Sequence, residues 1–259
     1  IYLASAATSI LGNAVATIVW PWMVLDKTGD PAAAGLVATA ITIPSLLFAF
    51  IGGHLVDTMG RKPMSIISDV VSALSIVLLI VVDHLLGLTL GWFIALGILG
   101  AVGDVPGMSA RSALVGDVVT KTMTLDRLSG INQTIASSGF LVGPALAGVL
   151  LSALNMSDVL WITAFCSFVA AGLTTLLTVG SSAAAEEGET LRGSLGSWKR
   201  VLELPSIRLI AIVNLVSTIC VAPLIAVLLP AHFQSIDRPG LLGITCLLYT
   251  SDAADDTPC

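Results

Sequence analysis

Near its start the chain places one acid and two bases between two long apolar stretches, in the segment from Gly53 to Lys62. Asp57, Arg61 and Lys62 carry the charges, and Gly60 can make a tight turn that a Cβ would hinder. Such residues can form and break ion pairs, which are strong where water is partly excluded. The segment is too short to link two domains, so we expect its charges to act at the boundary of an apolar environment.

Further ionisable residues follow in or beside the next apolar stretches. Asp104 stands seven residues before Arg111, so the two could pair on one helix face. An ionisable residue inside a membrane is otherwise a functional candidate by default, and we interpret Asp104 and Asp69 as candidate proton carriers.

Composition shows which elements must position these residues. Hydrophobic residues make up 56% of the 259 residues and charged residues only 11%, which is typical of a membrane protein. A helix needs about 20 apolar residues to cross a bilayer. Stretches of that size are too long and continuous for barrel strands, so we predict an all-α polytopic membrane protein. The seven predicted spans are 1–25, 31–56, 63–82, 85–110, 128–157, 159–185 and 209–236.

The basic residues predict the orientation. Nine of the eleven Lys and Arg lie in the connections after the second, fourth and sixth spans, and only Lys27 and Arg238 lie on the other side. The positive-inside rule therefore predicts that the N-terminus and the segment 53–62 face the cytoplasm. The net charge of −6 comes from scattered acids, and we expect no nucleic-acid partner.

A few amides lie within the spans, away from the charged connections. Asn13, Asn132, Gln133 and Asn214 could line a substrate path near the middle of the membrane. The alternative role for each is an interhelical hydrogen bond.

The segment 53–62 has the pattern G-x-x-x-D-x-x-G-R-K, which resembles the loop between the second and third helices of the major facilitator superfamily. Glycine, proline and basic residues are also compatible with an ordinary short membrane hairpin, but the full pattern is less ordinary. Thr58 departs from it, because that family has a base there. The resemblance implies a charge network that latches the two halves of a transporter, with Asp117 at the position of its second acid and Arg111 as a further candidate. The alternative for Asp117 is a solvated helix cap. We call the predicted members of this network the latch cluster: Gly53, Asp57, Gly60, Arg61, Lys62, Arg111 and Asp117.

The fifth span carries a second pattern of small residues. Gly139, Gly143 and Ala147 recur every four residues and allow a neighbouring helix to approach closely, while Pro144 can bend the helix. With Gly130 and Gly148 in register, the pattern resembles the antiporter motif of the superfamily's drug exporters, with Ala147 replacing one glycine. That resemblance implies export rather than uptake.

The resemblance covers most of the chain, whose opening residues are similar to those of bacterial siderophore and macrolide exporters. It implies a fragment of a twelve-helix fold, with the first six-helix bundle at 1–180 and the first helix of the second bundle at 207–245. A cytoplasmic linker at 181–206 carries an amphipathic stripe of Leu191, Leu195, Trp198 and Leu202. Residues 246–259 match a translated sequencing adapter, and we expect them to be non-native.

We therefore predict a monomeric secondary active transporter of the bacterial inner membrane. It would export small amphipathic compounds of the drug or siderophore type in exchange for protons. The alternative is an importer of a sugar or other metabolite. A membrane enzyme would need clustered acids or histidines, which we do not find. No phosphate-binding G-x-x-x-x-G-K-[ST] pattern occurs, and the three histidines match no metal spacing, so we expect no ATP, cofactor or metal.

Overall fold

The computed structural model describes residues 1–118, 124–177 and 228–236, with isolated positions between 205 and 245. That part of the chain is helical and contains no strand. Six long helices, each with an apolar window sufficient to cross a membrane, confirm the first six predicted spans. The helices are α1 (Tyr2–Thr28), α2 (Pro31–Met59), α3 (Arg61–Leu85), α4 (Leu90–Asp117), α5 (Leu125–Ala153), α6 (Met156–Thr175) and a short α7 (Leu229–Ser235).

The second half of the predicted domain plan lies largely outside the described residues. The linker at 181–206 falls there except for Pro205, as does the tail at 246–259. Of the predicted seventh span, α7 and a few isolated positions are described. These boundaries stay predictions.

Local sequence explains how α1 ends and α2 begins within three residues. Gly29 adopts a left-handed conformation with φ 66°, and its N–H donates to the carbonyl of Leu25 at 2.7 Å. The Asp30 side chain then accepts from the N–H of Ala32 at 2.9 Å, and Pro31 occupies the first helical position. We call this side of the bundle the Gly29 end and the opposite side the Gly60 end.

Small residues let the central helices pack closely. α1 lies against α5 and α6, α3 lies against α4 and α6, and α2 packs on α4. A Cβ added at Gly103 of α4 would lie 3.1 Å from the carbonyl oxygen of Ser68 on α3. Such close approach of backbones is typical of membrane helices joined by small residues. The α3 face toward this contact is a buried serine stripe: Ser65, Ser68, Ser72 and Ser75.

The apolar core is divided along the bundle. A large cluster that includes Val19, Leu79, Phe93 and Val159 fills the half toward the Gly29 end. A smaller cluster that includes Tyr2 and Leu114 lies toward the Gly60 end. The ionisable residues of interest lie in the half toward the Gly60 end.

Candidate functional site

The connection between α2 and α3 is shorter than predicted. α2 continues through Met59 and α3 begins at Arg61, so Gly60 alone reverses the chain. Its backbone, at φ 88° and ψ 149°, lies in a region that residues with a Cβ rarely adopt. The helices therefore extend beyond the predicted spans 31–56 and 63–82, up to Gly60 from either side. Pro63 fits inside the first turn because an N–H there has no helical partner.

The structure brings two members of the latch cluster into direct contact. Arg61 Nη1 lies 2.9 Å from Asp117 Oδ1, which joins the start of α3 to the end of α4. The Arg61 side chain is 41% exposed and that of Asp117 only 9%. Asp117 Oδ2 is buried and has no hydrogen-bond partner among the described residues. The pair is thus open to water on one side and dry on the other.

Other members of the latch cluster lie apart from this pair. Asp57 is exposed and forms none of the ion pairs found within the described ranges. Gly53 is exposed, and a Cβ there would meet no atom within 4 Å. Thr58, where the superfamily has a base, donates its hydroxyl to the carbonyl of His54 at 2.9 Å.

Lys62 binds a helix end. Its Nζ donates to the carbonyl oxygens of Thr175 at 2.8 Å and Leu177 at 2.7 Å. These carbonyls are at and just beyond the end of α6, where a helix has unpaired acceptors and a partial negative charge. Lys62 therefore ties the start of α3 to the end of α6.

Arg111 pairs with Asp69 of α3, and the predictions that it joins Asp117 or pairs with Asp104 were wrong. Arg111 Nη2 lies 2.8 Å from Asp69 Oδ1 and 2.7 Å from Oδ2. The two side chains are 11% and 4% exposed. Seven residues along one helix span about 10 Å, whereas Asp69 reaches Arg111 directly from the facing helix.

Hydrogen bonds from a third helix complete this buried ion pair. Ser9 of α1 donates to Asp69 Oδ1 at 2.9 Å. Arg111 Nη1 donates to the carbonyl of Ser5 at 3.3 Å, and Nη2 lies 3.4 Å from Ser65 Oγ. The three serines were not identified as site residues. The helical spacing of the α3 serines was the one signal available, and nothing local pointed to α1.

Asp104 is half-buried on α4, further from the Gly60 end than Arg111. It lies on the same α4 face as Gly100 and Gly107, whose added Cβ atoms would meet Ser75 and Ser68 of α3. It takes part in none of the ion pairs seen in the described part of the chain. The structure thus places one paired and one unpaired acid on the same α3–α4 contact.

The small-residue pattern of α5 packs against α1. A Cβ at Gly139 would collide with the side chain of Ile10, and a Cβ at Gly143 with Cβ of Ala14. Pro144 lies within a helix that continues to Ala153. Gly148 is buried, whereas Gly130 is exposed and has open space around it. The motif therefore makes a close helix contact within this bundle.

The predicted substrate-path residues are dispersed. Asn132 Oδ1 lies 3.1 Å from the hydroxyl of Tyr2, which also donates to the carbonyl of Arg111 at 2.9 Å. Asn13 is half-buried and Gln133 is exposed. Asn214 lies outside the described residues. Within the described ranges no group of His, Cys, Asp or Glu could hold a metal ion.

Comparison with known proteins relates this arrangement to membrane transporters. The family model described as Major Facilitator Superfamily matches residues 2–250. A protein named multidrug efflux pump Tap from Mycolicibacterium fortuitum is 31% identical over 249 residues, covering 93% of this chain and 61% of the pump. Multidrug resistance protein 1 of Bacillus subtilis (strain 168) is 23% identical over 203 residues, covering 78% of this chain and 50% of that protein.

A solved structure has the same helix arrangement. The D-xylose-proton symporter superposes with a TM-score of 0.68 at 12% identity, covering 96% of this chain and 64% of the symporter. At that identity the likeness shows the fold alone. The chain spans half to three fifths of the length of the curated relatives named above.

Proposed function

This chain belongs to the Major Facilitator Superfamily, and on that premise we propose that the full-length protein exports small amphipathic compounds in exchange for protons. The observation that carries export is the 31% identity, over 93% of this chain, to a protein named as a multidrug efflux pump. The α5 contact with α1 supports it, because the glycines that make this contact form the pattern that resembles the antiporter motif.

Transport would proceed by alternating access, with the two halves of the protein rocking about a central site. The Arg61–Asp117 pair joins α3 to α4 within the first bundle, and it would form that bundle's part of the latch at the Gly60 end, intact in one state and broken in the other. An exposed arginine suits that role because its charge regains water when the pair opens. Asn13, Asn132, Gln133 and Asn214 remain the proposed polar groups along the path.

The proposed orientation places the N-terminus and the Gly60 end in the cytoplasm of a bacterial plasma membrane. The excess of Lys and Arg in the connections on that side supports it. We propose a monomer, with protons supplying the energy and Asp69 and Asp104 as the intramembrane acids available to carry them.

An importer of a sugar or metabolite is the alternative. Its support is the likeness to a D-xylose-proton symporter, which at 12% identity concerns the fold alone. Export therefore has the more specific support.

Export can be tested in a bacterium that lacks its own drug pumps. Cells producing the full-length gene product should accumulate less ethidium than cells with the empty vector, and a protonophore should abolish the difference. Right-side-out vesicles provide the opposing test, because ethidium or sugar uptake driven by an inward proton gradient would contradict export. The Gly143→Val variant, produced at the same level, controls for overexpression. Its larger side chain would block the α1–α5 contact, so cells producing it should accumulate as much ethidium as cells with the empty vector.

A further inference from the structure

The two intramembrane acids of α3 and α4 have different surroundings. Asp69 is clamped by Arg111 Nη2 at 2.7 and 2.8 Å and by the Ser9 hydroxyl at 2.9 Å. Asp104 lies on the α4 face that packs against the serine stripe of α3, and it has no basic partner in the ion pairs of the described residues. Both acids lie on helices of the α3–α4 contact, and Arg111 follows Asp104 by seven residues but pairs with Asp69. The question is which of the two acids exchanges protons.

Arg111 is held in place independently of Asp69. Its Nη1 donates to the Ser5 carbonyl of α1, and its own carbonyl accepts from Tyr2. If Asp69 took up a proton, this buried guanidinium would lose its counter-charge, which is strongly unfavourable. The charge-assisted bonds to Arg111 and the bond from Ser9 would also weaken. These contacts favour an Asp69 that stays ionised and paired with Arg111.

We propose that Arg111 is a positioning residue for proton coupling: by holding Asp69 as a permanent ion-pair partner, it leaves Asp104 as the acid of this bundle that binds and releases the transported proton. This inference rests on the proposed proton-driven export. In each cycle a proton from external water bonds to a carboxylate oxygen of Asp104, and that O–H bond breaks when the proton passes to cytoplasmic water. The Asp69–Arg111 pair neither gains nor loses a proton.

The surroundings of Asp104 define the expected pH dependence. Asp69 on α3 and Arg111 on α4 are the charges that act on it. The α2 helix contacts α4 at Gly52 and Pro106. Its titratable residues His54 and Asp57 lie nearer to the Gly60 end than that contact does. Within their spans α5 and α6 carry no Asp, Glu, Lys, Arg or His beyond their first turns. α1 contributes Tyr2 toward the Gly60 end, and its Asp26 and Lys27 lie at the Gly29 end. Removing the whole Asp69–Arg111 pair therefore removes no net charge from around Asp104.

The experiment uses the full-length gene product in proteoliposomes, with ethidium as substrate and proton movement followed by a pH-sensitive dye. Asp104→Asn should lose transport driven by a pH gradient while retaining exchange of ethidium for ethidium. The double variant Asp69→Asn/Arg111→Gln should keep gradient-driven transport with a pH midpoint close to that of the native protein. Asp69→Asn alone leaves an unpaired cation and should lower the midpoint by about one pH unit. Arg111→Lys, which keeps the charge, should stay near the native profile.

Asp83→Asn is the matched control, because Asp83 is also on α3 and paired, to Lys27 at 2.7 Å, but lies at the Gly29 end. It should leave the pH profile unchanged. If Asp69→Asn proves poorly folded, the double variant still carries the test, since it buries no unpaired charge. If the double variant lost proton coupling while Asp104→Asn retained it, the assignment of Asp104 would be wrong, but proton-driven export would still stand. If the rate of ethidium transport by the native protein did not depend on the pH gradient, both the assignment of Asp104 and proton-driven export would be wrong.

Discussion

Two ion pairs of this chain differ in how much water reaches them. Arg61–Asp117 has a half-exposed arginine and a nearly buried acid, whereas Asp69–Arg111 is enclosed on both sides. Exposed pairs contribute about 0–1 kcal/mol to stability, and breaking a buried pair by removing one partner costs about 3–5 kcal/mol. Arg61–Asp117 is therefore suited to open and close, and Asp69–Arg111 is suited to stay formed.

Replacing Asp117 should affect transport more than stability. We expect Asp117→Asn to lower the free energy of unfolding by less than about 1 kcal/mol, because Arg61 regains water. A pair worth about 1 kcal/mol still shifts the balance between two gate states roughly fivefold. Thermal unfolding in detergent and ethidium export would be measured side by side. The swapped pair Arg61→Asp/Asp117→Arg should recover part of the export, and a swap that recovers none would argue against the latch.

Gly60 and Gly29 offer a matched comparison of two glycine turns. Gly60→Ala should cost about 1–3 kcal/mol, because its φ of 88° with ψ of 149° is a region essentially restricted to glycine. Gly29→Ala should cost about 1 kcal/mol, since φ 66° with ψ 5° is left-handed helical and less strained for alanine. Unfolding temperatures of the two variants test this order. Equal losses would show that the strain at Gly60 is relieved by movement of α3.

The sequence predicted one of these residue contacts and missed the other. The Arg61–Asp117 contact could be expected because the segment 53–62 forms a recognisable pattern and Asp117 stands where that pattern needs an acid. The partner of Arg111 could not, because spacing along one helix favoured Asp104. Which residue of a neighbouring helix meets Arg111 depends on the rotation and depth of α3. The acceptors of Lys62 could not be predicted for the same reason, since they lie at the end of α6, 113 and 115 residues along the chain.

At the scale of helices, α1 organises the bundle by packing against both α5 and α6. Gly143 meets Cβ of Ala14, while Gly139 meets the flexible side chain of Ile10. The four-residue spacing of small residues predicted a close contact on α5. It could not identify α1 as the partner, because the pattern describes one surface and holds no information about the other.

Gly143→Ala should therefore destabilise the protein more than Gly139→Ala. Overpacking at Gly143 should cost about 1–3 kcal/mol, because Ala14 has no other rotamer, whereas Ile10 can rotate away. Gly143→Ala combined with Ala14→Gly should recover most of the loss. Gly130→Ala is the control: it meets open space inside a helix and should be neutral or stabilising by up to about 1 kcal/mol. A double variant no more stable than Gly143→Ala would contradict this contact.

At the scale of the whole molecule, the apolar spans and the basic connections were readable from composition. Each of the first six predicted spans corresponds to a long helix, because a bilayer demands about 20 apolar residues and satisfied backbone groups. The arrangement of those helices was available through family resemblance alone. Apolar residues face both lipid and neighbouring helices, so hydrophobicity does not show which face packs where.

The orientation gives a further prediction. In a variant without native cysteines, Thr58→Cys should react with a membrane-impermeant maleimide in inverted vesicles and not in intact cells. Thr89→Cys, exposed at the opposite end, should show the reverse. The basis is the excess of Lys and Arg on the Thr58 side. Labelling of Thr58→Cys in intact cells would place the Gly60 end outside.

The single-residue connection at Gly60 has a mechanical consequence. Because α2 and α3 are joined by one residue, a tilt of α2 is expected to displace the first turn of α3. A longer loop would absorb such a motion. That first turn grips the end of α4 through Arg61 and the end of α6 through Lys62. A displacement of any one of these four helices is thus transmitted to the other three. We therefore expect these four helix ends to move together while the Arg61–Asp117 pair is formed, and a spacer inserted beside Gly60 to uncouple α2 from the other three.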